Sequence, residues 1–374
     1  MTKDTYSTDT YCIIMAGGTG SRFWPMSQAE NPKQFLDILN IGQSMLQTTF
    51  RRFEAVCPRE NIFVVTGKEY VKHVHEQIPG LAPWQVIGEP VRRNTAPCVA
   101  YAASVIGALN PEANIVVSPS DHAIFGEKSF VSDMELALDI TRRYDQIVTL
   151  GVRPTSPNTS YGYIQFKEEA ALADADKLHK VITFTEKPPL EVAKAFLATG
   201  EFFWNSGIFV WRLPVLKAAY SQFLPSVAQS FFTLTRDSSP DEVEYIYSQS
   251  EAISVDFGIM EKASNVHVLE ASFGWSDVES WETLYSTLPP DSNGNCIVRG
   301  NVFAYDVKDT IVHIPAYRTL VLQGLEGYIV AGDRDTLLVC RRDQEDRIVK
   351  FASDVELAEL SDKSRHKNHG KYHE

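Results

Sequence analysis

The short apolar run Cys12-Ile13-Ile14-Met15-Ala16 feeds directly into Gly17-Gly18-Thr19-Gly20-Ser21-Arg22. A strand that ends in three glycines lets the backbone approach a ligand closely and turn several N–H groups toward phosphate oxygens, and Arg22 adds charge-assisted hydrogen bonds. The chemistry implied is phosphate binding, since a tight turn without a ligand needs only one glycine. Two familiar phosphate loops do not match. The dinucleotide fingerprint requires a third glycine where Phe23 stands, which argues against a dinucleotide-dependent oxidoreductase, and the nucleoside triphosphatase loop requires Gly-Lys-Ser/Thr after four spacers. Pro25 stops any helix directly after the loop. A second cation arrives in Asn31-Pro32-Lys33-Gln34-Phe35-Leu36, where Pro32 fixes the backbone just before Lys33 and can aim its ammonium back at the loop. Standing alone, a lysine such as Lys33 is more often a solvated surface residue.

The elements that must hold these groups follow from hydrophobic periodicity. Strands are expected at Tyr11–Ala16, Ile62–Thr66, Gln85–Gly88, Ile115–Ser118 and Ile147–Gly151, with helices at Met45–Ala55, Glu69–Gln77, Ala96–Leu109 and Ser129–Tyr144. This β-α-β-α rhythm predicts a mainly parallel sheet with helices on both faces and ligands beyond the carboxyl ends of the strands. Segments Tyr161–Phe166, Val181–Phe184, Gly207–Trp211 and Val266–Glu270, with helices at Leu190–Thr199, Pro214–Phe231 and Asp241–Ser248, extend the same sheet. The turn residues of Leu288-Pro289-Pro290-Asp291-Ser292-Asn293-Gly294 mark a boundary. Beyond it, Cys296–Val298, Val302–Val307, Thr310–Ile314, Arg318–Gln323, Tyr328–Ala331, Thr336–Arg341 and Arg347–Phe351 read as short strands of an all-β unit, whose coils either stack as a β-helix or curl as a barrel. The expected organisation is therefore residues 1–288, a β domain over 289–360, and a polar flexible tail over 361–374, whose three histidines are read as tail rather than metal site.

Composition bounds the function. The 374 residues carry 35 Lys plus Arg against 48 Asp plus Glu, and a net charge of −13 repels a nucleic-acid backbone, which leaves a small phosphorylated ligand in a local basic cluster. No apolar run approaches the ~20 residues of a membrane helix and the N-terminus lacks a secretory pattern, so a cytoplasmic protein is expected. The five cysteines are scattered and never form a C-x-x-C pair, which predicts reduced, buried thiols.

The glycine loop, Trp24-Pro25 and Pro32-Lys33-Gln34-Phe35-Leu36 together resemble the sugar-1-phosphate nucleotidyltransferases, in particular their mannose-1-phosphate guanylyltransferase branch. The resemblance continues in family order through Glu89-Pro90-x-Arg92-Arg93-Asn94-Thr95-Ala96-Pro97, Ser118-Pro119-Ser120-Asp121-His122, Tyr161-Gly162-Tyr163-Ile164, Glu186-Lys187-Pro188, Trp204-Asn205-Ser206-Gly207, Ser254-Val255-Asp256, Met260-Glu261-Lys262 and Trp275-Ser276-Asp277-Val278, and so spans residues 12 to 281. It implies a Rossmann-like, GT-A-like catalytic domain with a mainly parallel or mixed sheet, followed by a small left-handed β-helix-like domain.

By that resemblance GTP and α-D-mannose 1-phosphate are the substrates, Mg²⁺ is the cofactor held by Asp121 and Asp277, and the assembly is a homodimer. Gly17, Gly18, Thr19, Gly20, Ser21, Arg22 and Lys33 face the nucleotide phosphates, with Arg22, Lys33 and Asp121 in catalysis. Asn94 and Thr95 stand beside the base, where Glu89 accepts from guanine N1 and N2 and Arg93 or the backbone donates to O6. Tyr161, Gly162, Glu186, Lys187, Asn205 and Asp256 bind the sugar phosphate, with Gly162 allowing close backbone approach. Each also has a plainer reading alone: Asp121 or Asp277 as a helix cap, Asn94 as an N-cap ahead of an N1 proline at Pro97, Glu186 and Asp256 as surface carboxylates, and His122 as a structural residue.

Two positions depart from the family pattern: Ser160 stands for the first glycine of Thr-Gly-Tyr-Gly-Tyr-Ile, and Glu279 for the glycine of Asp-Val-Gly-Ser-Trp. Glu279 either adds charge at the metal or points to solvent. The alternatives left open are a guanylyltransferase for another hexose 1-phosphate and a silent relative that binds nucleotide without turnover. The isomerase domain of longer bacterial members does not fit in the residues after Leu288, so no isomerase activity is expected.

Overall fold

Apolar runs without a polar face build the centre of the sheet, because a strand covered on both sides has no solvent-facing positions. Residues 8–18, 20–172 and 175–369 are described by a computed structural model, with side chains to residue 358. The chain divides into two compact units, one of Met1–Gly17 with Leu46–Trp275 and one of Gly18–Met45 with Ser276–Glu374. The glycine loop is thus cut between Gly17 and Gly18, and the second unit takes in residues 276–288, which the sequence reading assigns to the first domain.

The first unit contains β1 (Thr10–Ala16), α1 (Met45–Phe53) from its second residue on, β2 (Ile62–Gly67), α2 (Val71–Gln77), β3 (Val86–Glu89), α3 (Thr95–Leu109), β4 (Asn114–Pro119), β5 (Ala123–Phe125), α4 (Glu127–Arg143), β6 (Ile147–Val152), β7 (Gly162–Leu172), β8 (Ala175–Glu186), α5 (Leu190–Thr199), β9 (Phe202–Arg212), α6 (Leu213–Phe223), α7 (Pro225–Phe231), α8 (Pro240–Gln249) and β10 (Val266–Glu270); β11 (Gly274–Ser276) also straddles the division. Its nine-stranded sheet has the order β3-β2-β1-β4-β9-β6-β10-β8-β7. Pairing is parallel through β3-β2-β1-β4 and at β6-β10, and antiparallel at β4-β9, β9-β6, β10-β8 and β8-β7, so the sheet is mixed. β9 enters between β4 and β6, as the expected extension of one sheet requires.

α3 is buried along most of its length, from Ala96 to Ile106, and packs in one core cluster with Ile13, Phe63, Val117 and Trp211 of the sheet. A helix apolar on nearly all sides can only be interior. The expected single helix over Pro214–Phe231 is two helices, α6 and α7. Leu224 precedes Pro225, and at φ −135° and ψ 57° it leaves the α region as a residue before proline must.

In the second unit, α9 (Trp281–Thr287) is followed by β12 (Cys296–Arg299), β13 (Asn301–Tyr305), β14 (Ile311–His313), β15 (Thr319–Gln323), β16 (Tyr328–Gly332) and β17 (Leu337–Arg341), then α10 (Ile348–His369). β12-β14-β16 form one parallel ladder and β13-β15 another, with Ile311 opposite Ile329 and Asn301 opposite Thr319, so successive coils stack as in a β-helix. The expected strand Arg347–Phe351 is instead the entry to α10. Ile348 is fully buried while Phe351 and Ala352 are half-buried, an i, i+3, i+4 pattern that belongs to a helix. The helix runs through His369 over most of the stretch read as a tail, and residues 370–374 lie outside the described ones. All five cysteines are buried and free. Among the described residues no helix is long and apolar enough to cross a membrane.

Candidate active site

In the first unit the parallel strands deliver three candidate residues at their carboxyl ends: Gly17 follows β1, Glu89 closes β3 and Asp121 follows β4. In an open α/β sheet this is the ligand-binding edge. The approach to Asp121 is pinned by the Ser120 amide donating to Met15 O at 3.0 Å and the Thr49 hydroxyl donating to Ser120 O at 3.0 Å. Beside it, Trp275 Nε1 donates to His122 Nδ1 at 3.1 Å, which orients the ring and leaves a neutral imidazole its proton on Nε2. Trp275 packs edge-on against Tyr161 at 5.0 Å, and Tyr161 against Trp204 at 4.9 Å, so an aromatic file joins the Asp121-His122 segment to those of Tyr161 and Trp204.

Glu89 is 6% exposed, and its Oε1 accepts the Tyr247 hydroxyl at 3.0 Å. Burial pushes its carboxyl up to about 7, against the opposing pull of that hydrogen bond. A Cβ at Gly17 would stand 3.9 Å from Glu89 Oε2, so the carboxylate lies under the loop entrance. Tyr247, 158 residues away on α8, had no local signal in the sequence. Arg93 is turned to the end of the same helix, with Nε donating to Tyr247 O at 2.9 Å and an Nη to Ser248 O at 3.2 Å. A cation at a helix C-terminus is favourable, and the guanidinium keeps further N–H donors beyond these two bonds. Asn94 takes φ 66° and its side chain accepts the Thr95 amide at 2.8 Å, which makes it the N-cap; Pro97 is third in the helix rather than first.

Thr95 links this segment to that of Asp256. Its hydroxyl accepts the Val255 amide at 2.9 Å, while the Ala96 amide donates to Ile253 O at 3.0 Å and the Ile253 amide to Arg93 O at 3.2 Å. Asp256 follows in a π-helical turn, Asp256–Met260, a rare geometry found frequently at functional positions. Asn205 Nδ2 donates to Asp256 Oδ1 at 2.7 Å, and burial raises the Asp256 pKa against that bond. Gly162 stands opposite Glu186 in the β7-β8 ladder, and a Cβ there would meet Glu186 Oε2 at 2.5 Å and Asn205 Cβ at 3.4 Å. Gly162, Glu186, Asn205 and Asp256 thus form one cluster. Lys187 is exposed in the left-handed region at φ 45°, its amide donating to Tyr161 O at 3.3 Å.

The second unit gathers Gly18, Gly20, Ser21, Arg22, Lys33 and Asp277; Thr19 lies outside the described residues. Gly20 has φ 59°, and a Cβ would fall 2.4 Å from Lys33 Cβ and 2.7 Å from Ser27 Oγ, so only glycine fits. Lys33 is 3% exposed rather than solvated, and its Nζ donates to Asp277 O at 2.8 Å over the Phe23 ring at 5.9 Å. Phe23 in turn packs on Trp281 at 5.1 Å. Val278 is fully buried at φ 44°, a strained conformation for a β-branched residue that costs on the order of 1–3 kcal/mol. Its amide donates to Ser276 Oγ at 3.2 Å, and the Glu279 amide donates to Asp277 Oδ1 at 3.2 Å.

The two departures are accommodated locally. Glu279 approaches Arg22 at 2.9 Å and so is engaged by the loop's own cation. The left-handed residue of this segment is Val278, so position 279 has no need of glycine. Ser160 likewise has no left-handed backbone, and its amide donates to Asn158 Oδ1 at 2.7 Å.

Residues 11–292 match the family model described as nucleotidyl transferase. A mannose-1-phosphate guanylyltransferase of Sinorhizobium fredii is 33% identical over 96% of this chain and 71% of its own length. One of Salmonella montevideo is 34% identical over 96% of this chain and 75% of its own. Among solved structures, one titled mannose-1-phosphate geranyltransferase, from Thermus thermophilus, superposes with a TM-score of 0.84 at 28% identity over 93% of this chain and 99% of that one.

Proposed function

The chain belongs to the nucleotidyl transferase family, in its mannose-1-phosphate guanylyltransferase branch, and on that premise we propose that it transfers GMP from GTP to α-D-mannose 1-phosphate, giving GDP-mannose and pyrophosphate. The observation that carries the reading is the packing of the glycine loop on a buried lysine whose ammonium reaches Asp277.

The reaction is a single displacement. A phosphate oxygen of mannose 1-phosphate forms a bond to the α-phosphorus of GTP while the bond from that phosphorus to the bridging oxygen breaks, and pyrophosphate leaves with its electron pair. The nucleophile is already an anion, so no general base is needed, and catalysis consists of alignment and charge stabilisation. Gly18, Gly20 and Ser21 amides with Arg22 hold the β- and γ-phosphates, and Lys33 adds a cation fixed in place by Asp277 O. Glu89 accepts from guanine, and Gly162, Glu186, Asn205 and Asp256 engage the sugar hydroxyls, with Lys187 toward the sugar phosphate. By the family resemblance Asp121 and Asp277 would hold Mg²⁺, since one or two carboxylates with substrate phosphates is the donor set that ion accepts. Such an ion would supply charge neutralisation for the reacting phosphates.

The test is Asp121→Asn, which keeps shape and removes charge. Turnover is expected to fall at least a hundredfold with the melting temperature kept; wild-type turnover would remove Asp121 from the reaction. The same reading carries a cytoplasmic homodimer, with the dimer measurable by sedimentation.

A further inference from the structure

The second unit holds a polar cavity of about 320 Å³ between the β-coils and the segment after Lys33, lined among others by Asp37, Arg299, His313, Tyr317 and Arg334. His313 lies on β14 and is 3% exposed, yet neither ring nitrogen makes a well-formed hydrogen bond with a described residue, the backbones of Asp37 and of His313 itself interacting with the ring only weakly. An orphaned imidazole in a protein interior costs free energy unless something completes it. Burial, followed by the nearby Arg299 charge, pulls its pKa down to about 4, so near neutral pH it offers one donor and one acceptor.

The lining sets Asp37 and Asp333 against Arg299 and Arg334, but only the carboxylates are already engaged by hydrogen bonds. Asp37 is already satisfied, its two oxygens accepting the Ile41 and Gly42 amides at 2.8 Å each, and Asp333 accepts the Gln28 amide at 3.5 Å. No described residue pairs with the side chains of Arg299 or Arg334, while Tyr317, 72% exposed, offers a ring face at the rim. Two guanidiniums suit a phosphate, a neutral imidazole suits a hydroxyl that both donates and accepts, and an exposed aromatic face suits the apolar side of a sugar.

We propose that this cavity is a second, non-catalytic binding site for a phosphorylated sugar, with the phosphate on Arg299 and Arg334 and a hydroxyl on His313. None of these residues belongs to the proposed catalytic machinery, and the proposal does not rest on the reaction assigned above. The site is nonetheless linked to it by a file of rings: His313 to Trp281 at 6.3 Å, Trp281 to Phe23 at 5.1 Å, and Phe23 to Lys33 Nζ at 5.9 Å.

Calorimetric titration of the full chain with glucose 6-phosphate and with inorganic phosphate tests it. Wild type and Lys33→Ala are both expected to retain a site that prefers glucose 6-phosphate. Arg299→Gln/Arg334→Gln, two exposed changes, is expected to weaken it at least tenfold. His313→Leu is expected to weaken glucose 6-phosphate several-fold and leave inorganic phosphate unchanged. Absence of binding to wild type, binding that survives the double arginine change, or equal affinity for the two probes would overturn the proposal.

Discussion

Lys33 and Asp277 stand 244 residues apart in sequence and meet at 2.8 Å, the buried ammonium donating to the backbone carbonyl. The contact fixes the lysine and the segment carrying the Asp277 carboxylate in one geometry, with Gly20 packed against the lysine stem. A charge whose partners are set in advance stabilises a developing anion without reorganising first.

Lys33→Ala is accordingly expected to lower turnover at least a hundredfold and, because the Asp277 carbonyl loses its donor, to cost about 1–3 kcal/mol of stability. Steady-state rates and denaturant unfolding on the same preparation read both. Unchanged turnover would show that the contact is only structural.

The Arg22–Glu279 pair is partly exposed, with side chains at 47% and 23%, so screening limits it to about 1 kcal/mol or less. Glu279→Gly is expected to keep turnover within tenfold of wild type. Its KM for GTP should fall by up to about fivefold, because Arg22 no longer has an internal carboxylate competing with phosphate. A turnover loss beyond tenfold would make Glu279 functional in its own right.

Glu89 gives the chain a pH signature. Its folded pKa of about 7 lies above the ordinary carboxylate value of 4.5, so between those two values the folded state binds the extra proton and stability falls as pH rises. Glu89→Gln should gain stability over wild type across pH 4.5 to 7, on the order of 3 kcal/mol. In wild type the KM for GTP should fall between pH 6 and pH 8, as the carboxyl becomes the acceptor that guanine requires. A flat difference in melting temperature between the two proteins would contradict the assignment.

Gly162→Ala would place a methyl group 2.5 Å from Glu186 Oε2 and force that carboxylate to move. The expected result is a tenfold or larger rise in KM for the sugar phosphate with little change in KM for GTP. Equal effects on both substrates would argue against a sugar site at β7-β8.

The legible part of the molecule is the part built by local pattern. Ile62–Gly67 is buried at every position and Thr10–Ala16 at all but one, and such runs announce central strands without help from the rest of the chain. The glycine loop and the residues at the strand ends could be picked out for the same reason, since their position depends on the strand they follow. Long-range partners could not. Nothing near Arg93 indicates that its guanidinium caps α8, nothing near Glu89 names Tyr247, and the burial of Lys33 depends on Phe23 and on Asp277. The misread strand at Arg347–Phe351 shows the limit of residue type: the β-branched pair Ile348-Val349 reads as a strand until the half-buried Phe351 and Ala352 set the helical period.

The most direct test of the central claim is pyrophosphate release with Mg²⁺, crossing GTP, ATP, UTP and dTTP against mannose, glucose and fucose 1-phosphates. Release confined to GTP with mannose 1-phosphate is the expected result. Equal or greater release with another pair, or GTP binding without release from any pair, would contradict it.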